Sequence, residues 1–134
     1  MKVRQLAVAY GTILLALSSS YSAYGQDLPQ RKEWRRADLT GAPGMEVIVS
    51  FSEYSPGESI PLHFHHGIEA AYVIEGGMVQ SPGKPAIALQ TGAPAMALRD
   101  VSHAGFTVVG DKTLKLFTVH IVDKGKPLYD LSNK

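Results

Sequence analysis

The chain of 134 residues contains no cysteine. That excludes disulfides as a source of stability, and with them thiolate metal ligation and a cysteine nucleophile. Excess charge is also lacking: 13 basic residues against 12 acidic leave a formal net charge of +1. So even a balance lacks the clustered basic face that nucleic acid requires, and none is expected as a partner. Aromatic residues are few, with one tryptophan, Trp34. Beyond residue 25 nothing carries the apolar period of a long helix, and there is no internal repeat or low-complexity segment. The length suits a single domain.

The one long apolar run lies at the N-terminus. Lys2 and Arg4 form a short positive region, residues 6–17 an apolar one, and Ala23-Tyr24-Gly25 a small-x-small site. The run falls short of the roughly 20 apolar residues that span a bilayer. Residues 1–25 therefore read as a cleaved signal peptide, cut before Gln26. Lys2 and Arg4 are not adjacent, so there is no twin-arginine signal. The expected location is periplasmic or secreted, with no stable membrane association after cleavage. Losing Lys2 and Arg4 would turn the net charge slightly negative.

What remains is a succession of short apolar or alternating runs separated by Gly, Pro, Asn and Asp. That rhythm predicts an all-β sandwich or barrel. Strands are expected over 45–51, 60–65, 70–74, 78–80, 86–89, 95–98, 103–109 and 114–122, with turns at Ser55-Pro56-Gly57-Glu58, Pro82-Gly83-Lys84-Pro85, Thr91-Gly92 and Gly110-Asp111. Residues 26–40 carry Arg31, Lys32, Arg35 and Arg36 and read as a solvated N-terminal arm with Trp34 packed on the barrel. The polar tail, 126–134, is expected on the surface.

The informative stretch runs from Gly57 to Gly76. His63 and His65 stand two apart on an expected strand, so both face one side and Phe64 faces the other. His66-Gly67-Ile68 allow a turn or bulge, after which Glu69 can return to the same cavity. Two imidazoles and a carboxylate converging from one face make a site for a divalent metal ion.

This stretch resembles the first motif of the cupin superfamily, G-x5-H-x-H-x3,4-E-x6-G. Gly57, His63, His65, Glu69 and Gly76 match it without a gap. The second motif, G-x5-P-x-G-x2-H-x3-N, is matched at Gly92 and His103 only. Leu98 stands in place of its Pro, Asp100 of its second Gly and Thr107 of its Asn. Asp100 can still enter a positive-φ turn more readily than most non-glycine residues. The resemblance spans about residues 40–125. It implies a cupin barrel (a jelly roll, or double-stranded β-helix) over 41–125, and His103 as a fourth ligand. His63, His65, Glu69 and His103 would then hold one divalent ion, Fe, Mn, Ni, Cu or Zn, with two of six positions open.

The fold hosts many functions, so the site has to decide. The first expectation is a metal-dependent, dioxygenase-like oxidoreductase acting on a small organic molecule. In it Glu69 either remains a ligand or swings off as general base. A non-catalytic periplasmic module for a small ligand or metal is the alternative, as is a metal-assisted lyase or isomerase with His120 or His66 as base. His66 points away from the cavity by parity and reads as a turn residue, and His120 reads as core packing or a group behind the ligands. Tyr72, Met78, Met96, Phe106 and Phe117 are expected in the core, some of them lining the mouth of the cavity, with Glu75 in solvent and Arg99 on a surface loop or near an anionic substrate. Open sheet edges need cover, so a homodimer is expected through paired or exchanged edge strands, with the N-terminal arm as a candidate cover.

Overall fold

A computed structural model describes residues 27–132; the signal peptide expected over 1–25 lies outside them. The described residues form nine strands: β1 (Arg31–Asp38), β2 (Met45–Tyr54), β3 (Ser59–His63), β4 (Gly67–Glu75), β5 (Gly77–Gln80), β6 (Ile87–Leu89), β7 (Pro94–Ala97), β8 (His103–Val109) and β9 (Leu114–Asp123). They make two antiparallel sheets, ordered β1-β2-β9-β4-β7 and β3-β8-β5-β6. The expected strands are all present with boundaries shifted by a few residues. Asp100 takes the positive φ that its turn requires, 60°.

Two segments differ from expectation. The N-terminal arm is strand β1, which pairs with β2 and covers that edge of the larger sheet. Its alternation is broken by a bulge between Glu33 and Arg35, which hides the strand pattern in the sequence. Trp34 sits at the bulge and stacks on Phe51 with ring centroids 5.4 Å apart. The tail is not a surface segment either. Phe64 and Asp130 exchange two backbone hydrogen bonds of 3.1 and 3.0 Å, and Tyr129 is buried. The tail closes the end of the barrel, where Phe64 would otherwise leave buried backbone groups unpaired.

Inward-facing rows of the long strands divide the interior into two layers. On β9 the row reads Leu114, Leu116, Thr118, His120; on β4 it reads Val73, Ala71, Glu69. The apolar layer is the core, formed by Tyr54, Ile60, Val73, Val79, Val108 and Leu114. Burying each aliphatic side chain there contributes about 1.5–3 kcal/mol. That layer carries the fold, and the opposite layer is free to hold polar groups.

Strict alternation would not let Ile60 and His63 face the same way, nor Phe106 and His103. All four line one cavity. On β8 the reversal comes at Ala104 and Gly105, both in the left-handed region at φ 61° and 73°. A non-glycine residue there is uncommon, and it adjoins an expected ligand.

The outer face of the larger sheet is apolar. Register sets three rows across β4, β9 and β2: Ile68–Ile121–Val47, Ala70–Val119–Val49 and Tyr72–Phe117–Phe51. Tyr72, expected in the core, is therefore half exposed, and Phe117 lies on this outer face. Met78 and Met96 are exposed as well. An apolar residue reads as core in a sequence whichever side of its strand it occupies.

Gly67 opens β4 between two expected ligands, opposite Val122. A Cβ there would overlap the Ile121 carbonyl oxygen and the Val122 Cα, backbone atoms that cannot swing aside. Gly67→Ala is expected to destabilise the protein by about 3 kcal/mol, at the upper end of overpacking effects. Chemical denaturation checks this, and a wild-type midpoint would refute the close approach.

Candidate metal centre

His63 and His103 face each other as cross-strand partners on β3 and β8. His65 follows two residues past the end of β3, held where Phe64 pairs with the tail. Glu69 comes from β4 in the other sheet. One ligand atom from each of these four residues lies within 4.8 Å of the others. The expected set is thus assembled from both sheets. The closest approaches are His63 Nε2 to His65 Nε2 at 3.2 Å, and Glu69 Oε2 to the Nε2 atoms of His65 and His103 at 3.1 Å each.

The far side of each ring fixes its chemistry. His63 Nδ1 lies 2.8 Å from Pro61 O, His65 Nδ1 2.5 Å from Leu128 O, and His103 Nδ1 3.1 Å from Val101 O. A backbone carbonyl only accepts, so each Nδ1 carries its hydrogen, and each neutral ring turns an Nε2 lone pair inward. This arrangement of a metal-binding imidazole hydrogen-bonded through its other nitrogen is common in metal sites. When all three rings are neutral, three lone pairs and a carboxylate oxygen converge. Such a cluster fits a divalent cation.

Protonation in the cluster follows from burial and contact. Burial pushes the His63 pKa down to about 4, keeping that ring neutral. Burial alone would raise the Glu69 pKa, but hydrogen bonding with His103 and His65 outweighs it and holds the carboxyl far below its usual range. Burial would lower His103, yet Glu69 and the Val101 carbonyl prevail and raise it. His103 thus holds a proton more readily than a free imidazole, and that proton would have to leave for an ion to bind.

Above the cluster lies a cavity of about 300 Å³. Its walls are largely apolar, including Ile60, Val73, Leu89, Phe106 and Leu116; Ser52, Tyr54, Thr118 and Tyr129 add polar groups. No lysine or arginine lines it among the described residues. Burial raises the pKa of Tyr54 to about 12 and pushes Tyr129 up as well, so both keep their protons. Tyr129 packs edge-on against His63 and His65, with ring centroids 4.7 and 5.4 Å away.

The remaining candidates fall into place. His66 points away from the cavity and bonds Asp130 Oδ2 at 3.0 Å. His120 is fully buried beside the ligands, with Nε2 3.6 Å from Glu69 Oε1. Arg99 forms a two-pronged pair with Asp123 at 2.9 and 3.0 Å and does not line the cavity. Glu75 meets Lys115 at 2.9 Å on the surface. Sequence reasoning missed Tyr129 and the Leu128 carbonyl. Their one signal was an apolar pair, Leu128-Tyr129, inside a polar tail.

Elemental analysis of tag-free protein is expected to give about one divalent ion per chain, lost in His63→Ala/His65→Ala. Adding the ion at 100 times its dissociation constant should stabilise the wild type by about 2.7 kcal/mol, read as a raised Tm, and leave the variant unmoved. A wild type that binds no ion even after reconstitution would rule the centre out.

No family model matches the chain, and no curated protein matches it in sequence. Solved structures do match in shape. The polyketide cyclase RemF from Streptomyces resistomycificus is 24% identical, with 79% of this chain and 74% of that chain covered and a TM-score of 0.53. A cupin-like protein from Thermotoga maritima is 23% identical, with 77% of each chain covered and a TM-score of 0.49. An uncharacterised protein with a double-stranded β-helix domain from Klebsiella pneumoniae is 20% identical, with 83% and 92% covered and a TM-score of 0.49. With two antiparallel sheets closing a barrel around four residues in motif register, the chain has the fold of the cupin superfamily.

Proposed function

We propose that this cupin is a metal-dependent enzyme acting on a small, largely apolar organic molecule through an ionised oxygen. The observation that carries this reading is a cluster of three imidazoles and a carboxylate opening onto an apolar cavity of about 300 Å³. Three neutral imidazoles and one carboxylate leave a divalent ion with a net charge near +1. One anionic oxygen neutralises that charge, and among the described residues no lysine or arginine lines the cavity to bind a second anionic group. The substrate body is therefore uncharged, and its size lies at the lower end for ligand pockets. An enolate or phenolate of modest size fits.

A bound divalent ion supplies Lewis acidity and, where it is redox-active, a route to dioxygen. The chain does the rest. Ile60, Leu89 and Phe106 exclude water and orient the apolar body. The Tyr54 and Tyr129 hydroxyls stay protonated and offer hydrogen bonds to substrate oxygens. A dioxygenase-like oxidoreductase is the first form of this reading. A non-redox lyase, isomerase or cyclase is the second, favoured by a protonated tyrosine, Tyr129, packed on two of the cluster's imidazoles. RemF, a polyketide cyclase, shares the fold.

Loading the apoprotein with Fe(II), Mn, Ni, Cu or Zn and offering a panel of small phenols and enols separates the forms. Oxygen uptake with a redox-active ion, absent with zinc, supports the oxidoreductase. Turnover with zinc and without oxygen supports the second form. Binding without turnover under every metal would overturn the enzyme reading and leave a ligand-binding module.

We also propose that the outer sheet face pairs with a second copy of the chain. Three apolar rows capped by Trp34 exceed the scattered apolar residues of an ordinary monomer surface. The rim carries both signs: Lys115 with Glu53 and Glu75 at one end, Arg99–Asp123 and Lys124–Asp38 at the other. A rim of both signs suits a two-fold partner, whereas an anionic membrane would select a basic one. Sedimentation at micromolar concentration is expected to give a dimer, and Tyr72→Glu a folded monomer. A monomeric wild type would refute the pairing.

A further inference from the structure

His120 reaches the interior from β9 and is the direct cross-strand partner of Glu69. Opposite residues on an antiparallel pair bring their Cβ atoms to about 4.5–5.5 Å, close enough for side chains to meet. The ring is fully buried, and neither of its nitrogens finds a hydrogen-bond partner among the described residues. Thr118 Oγ1, two residues earlier on the same inward row, is equally unpartnered. A neutral imidazole always has one N–H to place, and a buried donor left unpaired is strongly unfavourable. The fully buried ring is locked edge-on against His65, with centroids 4.7 Å apart. What it faces is Glu69 Oε1, 3.6 Å from Nε2.

The two oxygens of Glu69 are thus divided. Oε2 faces His65 Nε2 and His103 Nε2 at 3.1 Å, while Oε1 faces His120. The terminal torsion of a glutamate is soft, so a modest turn of the carboxylate closes the remaining gap. His120 itself is not one of the four residues whose ligand atoms cluster within 4.8 Å.

We propose that His120 is a positioning residue for Glu69: its Nε2–H holds Oε1 and leaves Oε2 alone turned toward the three ligand imidazoles. The inference rests on the metal reading above and sharpens it. A carboxylate held from behind stays in the ligand set instead of swinging out as a general base. A hydrophobic residue of similar size would fill the same space but would let the carboxylate rotate.

The test uses Co(II), whose visible absorption reports coordination, titrated into the apo form of the full chain. His120→Leu is expected to weaken Co(II) binding by about 10–100-fold, the usual effect of losing a partner behind a ligand, and to alter the spectrum. His120→Gln, whose amide N–H reaches toward Oε1, restores both. In a Glu69→Ala background, His120→Leu adds nothing further, because its effect passes through the carboxylate. If His120→Leu does not fold, His120→Asn, whose amide is shorter, takes its place in the cycle. Wild-type affinity and spectrum in the variant, or an undiminished effect without Glu69, would overturn the inference while leaving the metal centre standing. A wild type that binds no Co(II) overturns the metal reading, and this inference with it.

Discussion

Three imidazole nitrogens and a carboxylate oxygen lie within 4.8 Å of one another. Wherever two of them turn lone pairs on each other they repel, the more so in a buried setting, where water does little to screen them. Something must hold them together in advance of any ion. Here it is the backbone: the carbonyls of Pro61, Val101 and Leu128 each take one Nδ1–H and set the direction of the opposite nitrogen. The cluster is pre-organised by groups the side-chain sequence does not specify. The barrel, the left-handed turn of backbone at Ala104-Gly105 and the folded-back tail all serve to bring those carbonyls into position.

Placing four such groups in a small domain demands a separate source of stability. The two-layer interior provides it. Ile60, Val73 and Val108 lie on β3, β4 and β8, the strands that carry His63, Glu69 and His103. Each of these strands therefore contributes to the core at one end and to the polar site at the other. With no cysteine in the chain, this division does the stabilising without disulfide cross-links.

The all-β class and the ligand set were legible in the sequence for a clear reason. Period-two alternation marks strands, and the spacing of His63, His65 and Glu69 marks converging ligands. His103 was legible only through its register with a second motif that Leu98, Asp100 and Thr107 leave incomplete. β1 was not legible because its bulge breaks the alternation beside four basic residues. Tyr72 and Met96 read as core because composition does not reveal which side of a strand faces in. The partners of the histidine Nδ1 atoms were beyond reach, since a backbone carbonyl is the same at every position. His120 was visible as an inward residue, but its pairing with Glu69 required the β4–β9 register.

The tail carries a further consequence for how the centre comes into being. Leu128 lies near the end of the chain, yet its carbonyl orients a ligand met 63 residues earlier, and Tyr129 walls the same ligands in. A nascent polypeptide can complete every strand and still lack the group that fixes the His65 tautomer. His65 therefore gains its orientation only once the segment around Leu128 has folded back onto Phe64, and a cut between β9 and Leu128 would release it.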